Sequence, residues 1–199
     1  MIGATRLAHA ALLAAAITAP VESLDWRIQR PVQAARTPTM DRVMKTLTDV
    51  GKPEVVMGAL LAVAAFGGPT GPAVAREALL VLVPTNAVVE GVKYATNRAR
   101  PEGRHRRGNA SFPSSHAANA AALAWVMTRR WPRWGIAFWV FALGVAASRV
   151  YLNRHFLSDV LCGVLVGLGV GWLVSRWLAR RGAARAAASI DAPAEEGVS

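Results

Sequence analysis

The fold class this sequence predicts is all-α: a polytopic membrane bundle of about six transmembrane helices. Three observations lead to it. The 199 residues are 53% hydrophobic and only 18% charged, with a mean hydropathy of +0.30, more apolar than a soluble domain of this length usually is. Apolar stretches recur along the chain, and about 20 such residues cross a bilayer as a helix. Arginines gather at the ends of these stretches, as membrane flanks do.

In chain order the candidate spans are Leu7 to Ala19, Val55 to Phe66, Ala78 to Val92, Ala117 to Met127, Trp134 to Ala147 and Val160 to Leu178. Several are short and need their flanks, or a thin protein-lined site, to cross. The first has a second reading as a signal peptide with Arg6 as its basic region. Pro20 follows the one small-residue cleavage position, Ala19, and Ile17 suits an A-x-A site poorly, which favours a retained helix. Either way residue 20 reaches the outer side.

Between the first two spans, Met40, Val43, Met44, Leu47 and Val50 form an apolar stripe at helical spacing, with Arg42, Lys45 and Asp49 interleaved. This predicts an amphipathic helix at the interface, with Asp41 near its start; a plain connecting loop is the alternative. Gly51 and Pro53 end it. Gly67, Gly68, Pro69, Gly71 and Pro72 turn the chain between spans two and three, and Arg129 to Arg133, with Pro132, between four and five. Trp26, Trp125, Trp131, Trp134, Trp172 and Trp177 lie near span ends, as interfacial anchors or packing. Residues 1–182 read as one domain without internal repeats. Residues 183–199, ending in Asp191, Glu195 and Glu196, read as a flexible tail.

A net charge of +11 would suggest nucleic acid in a soluble protein. Here Arg129, Arg130, Arg133, Arg176, Arg180, Arg181 and Arg185 flank spans as cytoplasmic anchors do, so no nucleic-acid partner is expected. The one cysteine, Cys162, lies inside the last apolar segment and reads as an inert buried thiol.

Simple alternation puts the end of span three, the start of four, the end of five and the start of six on one membrane face. Three polar clusters fall there. The first is "KYATNRARP", with Lys93 and Arg100 seven positions apart and Pro101 stopping any helix. The second is "PSSH", Pro113 to His116, and the third is "SRVYLNRHFLSD", carrying Arg149, His155 and Asp159. Each has an innocent explanation alone: Lys93 and Arg100 snorkelling at a helix end, Ser114 capping span four, Asp159 capping span six. Together, two histidines, an aspartate and three cations are costly on a polytopic chain unless a site uses them.

The ordered triple K-x6-R-P, P-S-x-H and S-R-x5-H-x3-D, over residues 93 to 159, resembles the type 2 phosphatidic acid phosphatase (PAP2) family of lipid phosphate phosphatases. That family shares its phosphate site with vanadium-dependent haloperoxidases, and its membrane form has six helices. One position departs: Ser115 stands where the family motif has glycine, whose backbone N–H can approach a phosphate closely. The substitution reads as a tuning change.

A phosphate ester carries about two negative charges, and its transfer is catalysed mainly by positioning and charge stabilisation. Lys93, Arg100 and Arg149 suit that task, with Ser114, Ser115 and the first N–H groups of span four as further donors at a helix N-terminus. No carboxylate cluster for a divalent metal is evident, so metal-independent catalysis without a cofactor is expected. The spacing of His155 and Asp159 lets Asp159 accept from Nδ1 if the segment is helical, leaving Nε2 free to attack phosphorus. The resemblance makes His155 the nucleophile of a phosphohistidine intermediate, while His116 protonates the leaving oxygen and then activates water. His105 and His9 receive no role. Arg104, Arg106 and Arg107 read as a solvated loop, or as an attractor of anionic headgroups.

The expected function is hydrolysis of a lipid phosphate or polyprenyl pyrophosphate, with undecaprenyl pyrophosphate and phosphatidate-type lipids as the substrates the resemblance implies. Such a substrate and membrane lipids are the expected partners. A non-catalytic lipid-phosphate binder or transporter is the alternative, against which His116, His155 and Asp159 count, because clamping needs no nucleophile. A vanadate-dependent peroxidase is disfavoured by the spans. The resemblance places the protein in a bacterial inner membrane with the site on the outer, periplasmic face, although that face then carries more Lys and Arg than the positive-inside tendency predicts.

Overall fold

A computed structural model describes residues 20–103 and 109–190, with side chains through 185. The expected first span, His9, His105 and the run Arg104 to Arg107 lie outside the described residues.

Among the described residues seven helices follow one another: α1 (20–34), α2 (Pro38–Val50), α3 (Pro53–Phe66), α4 (Gly71–Thr96), α5 (Ser115–Arg130), α6 (Gly135–Tyr151) and α7 (Leu157–Ile190). Short 3₁₀ turns at Gly68–Thr70 and Pro132–Trp134 occupy the proline-bearing turns the sequence marks. The all-α expectation therefore holds among the described residues.

Helix α2 is the amphipathic segment expected from its stripe. Thr37 caps it by accepting from the Met40 N–H at 3.3 Å, and Pro38 and Asp41 occupy its first turn. It does more than lie at an interface, because its buried Thr48 meets Ser148 of α6 at 2.9 Å. Helix α1 has no counterpart in the expected spans. Its inward residues are Asp25 and Gln29, both buried, so no apolar periodicity announced it.

Among the described residues three helical stretches are long and apolar enough to cross a membrane, Gly68–Thr96, Pro132–Tyr151 and Leu157–Arg185, with Pro53–Phe66 as a shorter apolar helix. Of the five expected spans within the described residues, those at Val55 to Phe66 and Ala117 to Met127 do not reach that length and hydropathy. The reason is plainest in α5, whose Ala117, Ala118, Ala121, Ala122 and Ala124 are buried. A helix enclosed by its neighbours is selected for small side chains, and alanine contributes little hydropathy. A Cβ placed on Gly163 would strike the Ser114 carbonyl oxygen, and one on Gly167 that of Ala118. Glycine at these two positions lets α7 approach the α5 backbone, as small residues do between membrane helices. The outer surface is greasy: Phe66, Ile136, Leu165 and Val83 are each at least two-thirds exposed, a covering suited to lipid. Helix α7 stays helical through Ile190, beyond Gly182, where a flexible tail was expected.

Candidate active site

Helix direction gathers the three clusters at one end of the bundle. Helix α4 delivers Lys93 at its last turn and stops at Asn97, whose left-handed backbone (φ 45°) returns its N–H to the Lys93 carbonyl at 2.9 Å. Helix α5 begins there with Ser115 and His116, α6 ends there with Arg149, and α7 begins there with Asp159.

His155 lies in the loop between α6 and α7, not on a helix. The Arg149 carbonyl accepts from the N–H groups of both Arg154 (3.0 Å) and His155 (3.2 Å). From α1, Gln29 donates to the Val150 carbonyl at 3.1 Å and to Asn153 Oδ1 at 2.7 Å. Gln33 donates to the carbonyls of Val150 and Tyr151. The loop is thus held from both sides, and His155 is 2% exposed.

The expected hydrogen bond from His155 Nδ1 to Asp159 is corrected by the structure. Asp159 Oδ2 lies 3.7 Å from Nδ1, too far for a hydrogen bond, because His155 precedes the helix that would have brought the pair together. The Ser111 carbonyl is at 2.7 Å instead. A carbonyl only accepts, so Nδ1 carries the hydrogen and the neutral ring keeps its lone pair on Nε2. Burial is the main cause that pushes the His155 imidazole down to about 4; Asp159 opposes the shift, and Arg149 and Arg100 add to it.

Asp159 acts one step further out. Its Oδ2 accepts from the Ser111 hydroxyl at 2.5 Å and the Phe156 N–H at 2.8 Å, and its Oδ1 accepts from Arg98 at 2.6 Å. Arg98 also donates to Asp25 of α1 at 2.7 Å and sits 4.5 Å over the Phe156 ring. Asp25 in turn accepts from the Ser158 N–H (3.0 Å) and hydroxyl (2.5 Å) at the start of α7. Burial opposes charge on Arg98, yet its pKa is raised, because Asp25 and Asp159 more than compensate. His155 is therefore framed by Ser111, Asp159, Arg98 and Asp25.

His116 has no such frame. Its ring nitrogens have no hydrogen-bond partner among the described residues, and its electrostatic neighbours are Arg149, His155, Lys93 and Arg100. The buried Lys93 donates to Glu90 at 2.7 Å and to the Ser115 hydroxyl at 2.5 Å, so the serine at the glycine position of the family motif ties down a phosphate-binding candidate. Arg149 is buried, donates to Thr48 of α2 at 2.8 Å, and leaves its Nε without a partner. Arg100 is held by Asn109 (2.6 Å) and by the Arg154 carbonyl (3.3 Å).

Ser114 is fully buried. Its N–H donates to the Asp159 carbonyl at 3.0 Å, and its hydroxyl accepts from the Ala117 N–H at 3.5 Å. It caps α5 after a cis Phe112–Pro113 peptide. Lys93, Arg100, Ser115, His116, Arg149 and His155 thus share one end of the bundle, with Ser114 and Asp159 behind them.

Sequence reading missed Ser111, Arg98, Asp25 and Thr48. Arg98 and Ser111 stood beside motifs already singled out. The buried Asp25 and Thr48 come from helices whose place over the site no spacing reveals.

A membrane bundle, all-helical among the described residues, that brings two histidines and three cations to one end defines the class, an integral membrane protein. Residues 75–183, more than half of the chain, match the model of the PAP2 superfamily, and the chain belongs to that family. It is 31% identical to phosphatidylglycerophosphatase B of Bacillus subtilis over 82% of this chain and 88% of that protein. It is 39% identical to a lipid A 1-phosphatase of Porphyromonas gingivalis, over 43% of this chain but only 20% of that longer protein. Among solved structures, the transmembrane PAP2-type phosphatidylglycerolphosphate phosphatase of Bacillus subtilis superposes with a TM-score of 0.69 at 28% identity, covering 85% of this chain and 92% of that one. Aquifex aeolicus LpxE has the same fold, with a TM-score of 0.68 at 22% identity.

Proposed function

We propose that this protein is a membrane lipid phosphatase that hydrolyses a phosphatidate-type phosphomonoester, such as phosphatidylglycerophosphate, through a phosphohistidine on His155. One observation carries the reading: Nδ1 of the buried His155 is committed to the Ser111 carbonyl at 2.7 Å, which leaves the Nε2 lone pair as nucleophile. The substrate class is supported by likeness to the Bacillus subtilis phosphatase over nearly its whole length.

In the first step Nε2 attacks phosphorus in line while the bond to the lipid oxygen breaks. His116 delivers its proton to that oxygen. Lys93, Arg100 and Arg149 neutralise the equatorial oxygens, the Arg149 Nε supplying a buried donor without another partner. The phosphate charge in turn balances the cations around His116, so that its ring can carry a proton beside them. In the second step His116 takes a proton from water, which attacks the phosphohistidine, and inorganic phosphate leaves. The reacting groups are cations and imidazoles, so hydrolysis proceeds without a divalent metal. The site faces the periplasm of a bacterial inner membrane.

Phosphate release from a panel of phosphatidylglycerophosphate, phosphatidate, undecaprenyl pyrophosphate and lipid A, with and without chelator, tests this reading. The expected result is fastest release from the glycerophospholipid monoesters, indifferent to chelator. Binding without release would establish the non-catalytic alternative. Strong chelator inhibition would overturn metal independence.

A further inference from the structure

The helices that build the active site also build a cavity at their opposite ends. Arg76 opens α4 seventeen residues before Lys93, which places it roughly 25 Å away at 1.5 Å per residue. Arg129 and Arg130 close α5, and Arg181 and Arg185 lie on the distal part of α7. These five arginines and Glu77 line a cavity of about 470 Å³.

Its charges are unbalanced. Glu77 is buried and engages Arg130, at 2.8 Å to Nε and 2.6 Å to the terminal nitrogen. Arg76, Arg129, Arg181 and Arg185 have no carboxylate partner among the described residues; Arg181 stacks on Trp177 at 4.1 Å. Among the described residues these four exposed guanidinium groups face one cavity without a neutralising carboxylate, and a phosphate group would match them by bidentate bonding.

A second feature specifies the rest of the ligand. An apolar cavity of about 350 Å³, lined by Leu80, Leu173, Val174 and Trp177, adjoins the first and shares Leu80 and Trp177 with it. Trp177 and Leu173 are about half exposed, on the span Leu157–Arg185. A cationic chamber at a span end that continues into an apolar groove along the span matches a phospholipid, headgroup in one and acyl chain in the other. Free phosphate has no use for the groove.

We infer that this end of the bundle is a binding site for one anionic phospholipid of the leaflet opposite the active site, held by Arg76, Arg129, Arg181 and Arg185 and by the groove between α4 and α7. The site does not depend on the phosphatase reading, since none of its residues belongs to the catalytic end.

Native mass spectrometry of the delipidated, full-length protein supplied with phosphatidylglycerol, phosphatidylcholine or inorganic phosphate tests it. The triple variant Arg76→Gln, Arg181→Gln, Arg185→Gln is compared with a control, Arg133→Gln, Arg176→Gln, Arg180→Gln, which removes as much charge from the same membrane face outside the cavity. Wild type and control are expected to retain one phosphatidylglycerol, and the cavity variant to bind it at least about tenfold more weakly. Phosphatidylcholine and inorganic phosphate are not retained. A second variant, Leu80→Ala with Leu173→Ala, keeps every charge and is expected to weaken lipid retention as well. Equal retention by the cavity and control variants would reduce the site to diffuse attraction and overturn the proposal. So would retention of inorganic phosphate in place of lipid, or lipid binding that emerges only after removal of residues 191–199, which would make the acidic tail the occupant.

Discussion

The two histidines of the site are set in contrasting ways. His155 is buried, its Nδ1 is fixed by the Ser111 carbonyl at 2.7 Å, and Asp159, Arg98 and Asp25 stand behind that contact. His116, at the first turn of α5, is partly exposed and bonded to nothing among the described residues, and it is surrounded by charges instead. The contrast fits a division of labour. A nucleophile must present one lone pair in one direction, which rewards a rigid tautomer. A group that gives a proton to one oxygen and takes one from another must keep both exchanges open.

Substitutions can break this asymmetry, beginning with the largest effect. His155→Ala removes the proposed nucleophile and is expected to cut phosphate release on the order of 10⁴-fold or more. His116→Ala is expected to cost roughly 10²- to 10⁴-fold in steady phosphate release; with an aryl phosphate, whose leaving oxygen needs no proton, the first step is spared and shows as a burst of phenol, and the size of that burst against the burst with a lipid phosphate measures its role as acid.

Asp25→Asn weakens the hold on Arg98 without touching a substrate group. A loss of about 1–3 kcal/mol in unfolding free energy is expected for a buried charged hydrogen bond left incomplete, with kcat falling more than KM rises. A merely structural role would leave the active fraction with its normal kcat.

Titration sharpens the same contrast. The folded pKa of His155 lies near 4, below its ordinary 6.5. Above pH 6.5 the ring is neutral folded or unfolded, and its titration leaves stability independent of pH. As pH falls from 6.5 towards 4 the unfolded chain takes up the proton first, so stability declines across that window. The folded, substrate-free His155 ring stays neutral until about pH 4. Denaturant unfolding followed between pH 7 and 4, comparing wild type with His155→Gln, isolates this contribution. The smallest effect is expected at Ser115→Gly, a few-fold change in KM as Lys93 loses its hydroxyl partner and the backbone gains room, read from initial rates.

What could be read from the sequence follows what each signal encodes. Charged residues at span ends are visible in one dimension, so Lys93, Arg100, His116, Arg149 and His155 were placed together by counting spans alone. The amphipathic stripe of α2 was equally plain. Asp159 was placed beside His155, but its expected hydrogen bond to Nδ1 was not met, because a four-residue separation brings that bond about only on a helix, and His155 precedes α7. Helix α1 was missed because its buried face is polar. Span counting itself was weakened by α5, where enclosure by other helices favours alanine over the bulky residues that raise hydropathy. Polar groups brought from afar, Asp25 and Thr48, carry no local pattern.

The most direct test of the division of labour is to react the His116→Ala variant with an aryl phosphate, whose leaving oxygen needs no proton, quench in denaturant at alkaline pH, and map the phosphoryl group by mass spectrometry. Slow release of the intermediate should let phosphohistidine accumulate on His155 and nowhere else. Phosphate on another residue, or continued lipid turnover by His155→Ala at the wild-type rate, would contradict the assignment of His155 as the nucleophile.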